Sequence, residues 1–181
     1  MSRIPPVDWK STTDRVRRTF DAVQQQLGIV SNMTRTMAHS PAALEGYLAL
    51  ARALRDGLLP IRLQEQIALV VAESNESDYC LSAHTAAGRG LGLSNDELVA
   101  SREGRAFDRR VEAALQFARV IVERRGDVTD QQLARVREAG FSDGKIVEII
   151  AHVALNVFTN YFNRAAQTDI DFPLVTADQL V

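Results

Sequence analysis

Residues 61–94, IRLQEQIALVVAESNESDYCLSAHTAAGRGLGLS, carry the pattern from which a helical architecture follows. Leu63, Ile67, Val70, Val71 and Ser74 recur at helical spacing along one face. The pattern fails at Ser74-Asn75. A second helix begins near Ser77 and fades through Gly88, Gly90 and Gly92. Two apolar helices separated by so short a break are expected to form an antiparallel hairpin.

Outward from this hairpin the pattern stays helical. Thr12 or Thr13 is placed to cap a helix that runs through Leu27 and stops at Gly28. Ser40-Pro41 marks a further start, with serine as the cap and proline at the first helical position. Leu44, Leu48, Ala51 and Leu54 then repeat as far as Gly57, and Pro60 opens the first helix of the hairpin. Beyond the hairpin, Ser94 with Glu97 and Thr129 with Gln132 read as capping boxes. Between them lies an amphipathic segment over 108–125, and the last helix is expected from about Ser142 to Gln167. No alternating pattern supports a strand. The expected fold class is all-α, a helical bundle in which one hairpin carries the candidate site. Residues 1–40 read as an arm and helix packed on a helical domain over 41–181, with the tail after Asp171 free to reach a second subunit.

Composition narrows the function classes. In 181 residues, 46% hydrophobic and 24% charged with a net charge of -2, there is enough apolar material for a core and no general attraction for phosphate backbones or anionic lipid. No apolar run is long enough to cross a bilayer. One cysteine excludes an internal disulfide framework, which makes a reducing cytoplasm the expected setting. Nucleic-acid and membrane partners are not expected.

Cys80 is that single cysteine, and His84 follows four residues later. With about 100° per residue, Ser77, Cys80 and His84 share one face of the first two turns. Residues four apart on a helix are neighbours, so the His84 ring is expected to reach the Cys80 sulfur. Unpaired N–H groups at a helix start and a nearby histidine both favour the thiolate, the reactive form of cysteine. Asn75 and Ser77 are the expected caps, while Tyr79 should point away. Glu65 lies within the apolar IRLQEQIALVVAES segment. On the hairpin's inner side its carboxylate needs a partner, which Cys80 and His84 offer; on the outer side it would join Arg62 and Gln66 in solvent.

At this point the chain resembles the alkylhydroperoxidase D and carboxymuconolactone decarboxylase family. Glu65, the apolar IALVVAES, Asn75, S-D-Y-C and His84 in AHTAAGRGLGLS carry the likeness. LGIVSNMTRTMAHSPAAL and NVFTNYFNRAAQTDIDFP extend it to the peroxidase-related subgroup. The resemblance implies a helical subunit that assembles into trimers or hexamers. It also implies that Cys80 is the thiol that attacks a hydroperoxide, that Glu65 and His84 relay protons, and that a dithiol or external thiol is the reductant. No cofactor is implied. Ser77 stands where the family has its resolving cysteine and cannot form that disulfide. Cys80 would then work with an external thiol, or the chain has become a scaffold without peroxidase activity, or the serine was introduced to block the disulfide. The decarboxylase branch, which does not need the cysteine pair, is the rival within the same resemblance.

Three other features are weighed beside this site. His152, Asn156, Asn160 and Asn163 form a polar stripe on the last helix, expected to serve mainly structural hydrogen bonding. His39 is expected at the surface. Arg102, Arg105, Arg109 and Arg110, interleaved with acidic residues, read as a solvated charged face. A metal would need three or four convergent ligands, of which Cys80, His84 and Glu65 would supply three.

Overall fold

The computed structural model describes residues 2–8 and 12–177. Residues 1 and 9–11 of the expected arm, and the last four of the tail, lie outside the described residues. The described chain is helical with no strand: α1 Asp14–Leu27, α2 Asn32–Met37, α3 Pro41–Arg55, α4 Ile61–Ser74, α5 Asp78–Gly90, α6 Asn95–Arg102, α7 Arg109–Glu123, α8 Asp130–Glu138 and α9 Asp143–Ala166.

Helix α4 is the centre. It packs against α5, α6, α7 and α9, and a helix surrounded in this way must be apolar nearly all round. Its two sides feed two cores. Leu63, Ile67, Val70 and Val71 meet Leu115 and Phe117 of α7 and Ile149 and Val153 of α9. Leu69 and Ala72 meet Phe20 of α1, Met33 and Met37 of α2, and Cys80 and Leu81 of α5. Fully burying one such aliphatic side chain contributes about 1.5–3 kcal/mol.

Local signals end most helices where the sequence places them. Thr13, Ser40 and Ser142 accept hydrogen bonds from the first turns of α1, α3 and α9, and both capping boxes form. The α3–α4 connection is held from α9. The Glu148 carboxylate accepts from the backbone N–H of Leu58 at 2.7 Å and of Leu59 at 3.1 Å. A Cβ at Gly57 would meet that carboxylate at 2.6 Å, so a larger residue there would have to displace the Glu148 side chain from these two N–H groups.

Three departures from the expectations stand out. The short helix α2, capped by Ser31, is absent from the sequence reading, because six residues give little periodicity. Ser77 occupies the N-cap position of α5 but makes no capping bond; its side chain turns into the core. Arg102 is buried rather than solvated, bonded to the Glu73 carboxylate at 2.7 Å and to the Thr176 carbonyl at 2.8 Å. The described part of the tail, 171–177, is tied to its own chain. Asp171 accepts from the Tyr79 hydroxyl at 2.8 Å and the Asn32 N–H at 2.7 Å, and Val175 N donates to Ser82 Oγ at 2.9 Å. These polar ties to α2, α5 and α6 hold the segment over its own chain.

Candidate active site

The α4–α5 turn sets the geometry of the sulfur. Ser77 N donates to Ala72 O and Glu76 N to Glu73 O, both at 2.9 Å, while Glu76 takes a left-handed conformation with φ 49°. This pair of bonds is the helix-terminating pattern that reverses a chain sharply. Ser77 is therefore both the last residue of that turn and the residue before α5. Cys80 follows as the third residue of α5, among N–H groups that have no intrahelical acceptor.

Cys80 is 2% exposed, yet it borders a cavity of about 260 Å³ walled by α3, α4, α5 and α9. Glu65, His84, Tyr47, Tyr79 and His152 border the same space. Apolar groups, among them Met33, Ala51, Ala68, Leu155 and Phe172, make up much of the remaining wall. A larger hollow of about 440 Å³, bordered by Arg62, Phe107, Phe141 and Lys145, has neither cysteine nor histidine on its wall.

The sulfur's hydrogen-bond partner is not His84. Asn163 of α9 donates through Nδ2 to Cys80 Sγ at 3.3 Å. His84 Nδ1 instead lies 2.7 Å from Glu65 Oε2. An ionised carboxylate only accepts, so Nδ1 carries the proton and Nε2 of the neutral ring is left as the basic nitrogen. Glu65 thus faces inward, with the imidazole as its partner. Ser77 is not on the cavity wall, and its buried hydroxyl has no hydrogen-bond partner among the described residues.

The polar stripe of α9 divides its work. Asn163 holds the sulfur, and Asn160 accepts from Asn75 Nδ2 at 2.9 Å. That bond takes the Asn75 amide away from the capping role expected of it. Asn156 turns back to the His152 carbonyl at 2.8 Å. His152 is 4% exposed and borders the cavity, with no hydrogen-bond partner for Nε2 among the described residues. Burial lowers its pKa, against the opposing pull of Glu148 and Glu65. His39 is exposed as expected.

Two tyrosines enter the site unforeseen. Tyr79 faces the cavity rather than away from Cys80, and its ring meets Phe172 edge-on at 5.7 Å. Its hydroxyl accepts from Met33 N at 3.1 Å and donates to Asp171. Tyr47 comes from α3; burial, then the negative charges of Cys80 and Glu65, push its phenol up to about 12. A signal for Tyr47 exists, since it lies between Leu44 and Leu48 on the inward line of α3. Nothing in the spacing marks it as facing the sulfur. Among the described residues no cluster of three or more histidine, cysteine or acidic side chains is placed to hold a metal. No helix there is long and apolar enough to cross a membrane.

Residues 41–123 match the profile of the carboxymuconolactone decarboxylase family. Comparison with curated proteins finds no match. Among solved structures, the chain is similar to the alkylhydroperoxidase AhpD core of a peroxidase-related protein from Ralstonia eutropha. That protein is 26% identical, with 94% of this chain and 92% of that one covered and a TM-score of 0.83. A peroxidase-related protein from Silicibacter sp. is 24% identical, covering 98% and 94%, with a TM-score of 0.78. The debrominase Bmp8, solved in complex with 2,3,4-tribromopyrrole, is 21% identical over 93% of this chain and 91% of its own, with a TM-score of 0.79. The last two are likenesses of fold.

Proposed function

Because the chain belongs to the alkylhydroperoxidase D-like and carboxymuconolactone decarboxylase family, we propose that it is a thiol-dependent hydroperoxidase acting through Cys80. One observation carries this reading: the only cysteine borders the same cavity as a preformed Glu65–His84 pair. A nucleophile, a basic nitrogen and a carboxylate that orients it are the parts such chemistry needs. His84 Nε2 takes the thiol proton, and the Asn163 amide and the first-turn N–H groups of α5 stabilise the thiolate. The sulfur attacks one peroxide oxygen and becomes a sulfenic acid. His84 returns its proton to the departing oxygen.

Ser77 governs the reductive half of the cycle. Without a neighbouring thiol, the sulfenic acid condenses with an external thiol, releasing water, and a second thiol frees Cys80 from the mixed disulfide. A reducing compartment such as the cytoplasm supplies such thiols. A homo-oligomer, a trimer or hexamer, has support from α9. Val147, Ile150, Phe158 and Tyr161 are 64%, 45%, 42% and 60% exposed and succeed one another at helical spacing.

The rival within the family is decarboxylation of a lactone acid, for which the cavity offers, among the described residues, one arginine, Arg55, and no lysine. Thiol chemistry at a halogenated ring, which the debrominase neighbour suggests, shares the same cysteine. Turnover separates them. The protein should consume tert-butyl hydroperoxide in the presence of a monothiol, and Cys80→Ala should abolish that consumption. Equal consumption by Cys80→Ala contradicts the proposal.

A further inference from the structure

Buried tyrosine hydroxyls usually find a hydrogen-bond partner. Tyr79 has two, Met33 and Asp171. Tyr47 borders the same cavity, half-buried, and its hydroxyl bonds to no described residue. Cys80, Glu65 and His84 border that same space. It stands on α3, a different wall from the α5 segment that carries the sulfur. An unpartnered donor on the wall of a small and mostly apolar cavity that a nucleophile also borders is placed for something that arrives with substrate.

We propose that the Tyr47 hydroxyl donates a hydrogen bond to the oxygen expelled from an organic hydroperoxide as Cys80 attacks, a role that rests on the peroxidase reading above. The Cys80 thiolate, having given its proton to His84, attacks the terminal oxygen; the S–O bond forms and the O–O bond breaks. Sulfur is oxidised to the sulfenic acid, which keeps the peroxide's hydrogen. The peroxide is reduced to an alkoxide, which takes its proton from the His84 imidazolium and leaves as the alcohol. Attack on an O–O bond is in line, so the departing oxygen moves away from the sulfur, and a donor on another wall can hold it while His84 delivers the proton. Tyr47 is that donor. A phenol with a pKa near 12 stays protonated throughout the working pH range and acts by hydrogen bonding alone.

The test separates this role from a structural one. Sulfenic acid formation is measured at single turnover in the unaltered protein and in Tyr47→Phe. The oxidants are tert-butyl hydroperoxide, whose leaving alkoxide is strongly basic, and 3-chloroperoxybenzoic acid, whose leaving carboxylate is not. A hydrogen bond to a charged oxygen corresponds to about a tenfold to hundredfold loss with the alkyl hydroperoxide. The loss with the peracid should be much smaller, and alkylation of Cys80 by iodoacetamide, which expels no oxygen, should be unchanged. Equal losses with both oxidants, or none, overturn the role of Tyr47 and leave the peroxidase reading standing. An unaltered protein that reacts with neither oxidant removes both.

Discussion

Asn163 donates its side-chain amide to the sulfur of Cys80 at 3.3 Å, from 83 positions further along the chain. The bond ties the last helix to the first turn of α5 and places a fixed donor at the atom that carries negative charge in the proposed reaction. Asn163 is 3% exposed, so its amide is shielded from bulk solvent. Asn163→Ala is expected to slow sulfenic acid formation by about tenfold or more, since a hydrogen bond to a charged group is worth about 1.5–3 kcal/mol. Asn163→Asp, which sets a carboxylate against the thiolate, should be slower still. Single-turnover oxidation kinetics check both, and an unaltered rate in Asn163→Ala would show that the amide only packs.

Ser77 and Cys80 are three residues apart at the start of α5, so side chains at both positions share a face. Ser77→Cys is therefore expected to acquire an internal disulfide with Cys80 after peroxide treatment, reopened by dithiothreitol. Turnover should then shift from monothiol to dithiol reductants. Intact mass under non-reducing conditions reads the outcome; two free thiols after oxidation would contradict the geometry of the turn.

Arg102 is buried against Glu73 and also holds the carbonyl of Thr176. Breaking a buried ion pair from one side leaves the other charge uncompensated, at a cost of about 3–5 kcal/mol. Arg102→Ala should lower stability by about 3 kcal/mol in urea titration and make the tail over 171–177 more open to proteolysis. A loss under about 0.5 kcal/mol, within the range of ordinary surface changes, would contradict this.

Burial holds the His152 imidazole below its ordinary value of 6.5, while Glu148 and Glu65 pull the other way. The unfolded chain therefore binds a proton at this site before the folded one does. Stability from His152 is complete above about pH 6.5 and falls as the pH drops through that value. The urea midpoint should decline more between pH 7 and 5 in the unaltered protein than in His152→Gln. Parallel declines would contradict a lowered pKa for His152 in the folded state.

Much of the fold is legible because helix ends are written locally. Ser40-Pro41 and the capping boxes at Ser94 and Thr129 need only their own first turns, and each stands where the sequence puts it. Ser77 looks like another cap, but its side chain is turned into the core beside a turn held by tertiary contacts. Asn160 takes the Asn75 amide, and Arg164 bonds the Asn75 and Glu76 carbonyls. Arg102 misleads for a related reason. Its partner Glu73 lies 29 positions away, and an arginine among acidic neighbours gives no sign of that. In the candidate site, spacing brings Glu65, Cys80 and His84 to one cavity. It does not reveal that His84 bonds the carboxylate while Asn163 takes the sulfur, nor that Tyr47 borders the same cavity, since those placements depend on how α3 and α9 close over the hairpin.

The most direct measurement is the intact mass of the native protein after brief exposure to tert-butyl hydroperoxide with dimedone present, combined with peptide mapping. A thiol at the head of α5, with Asn163 and the Glu65–His84 couple for company, should yield one adduct, on Cys80, and none in Cys80→Ala. An unmodified native protein whose Cys80 alkylates readily once unfolded would contradict it.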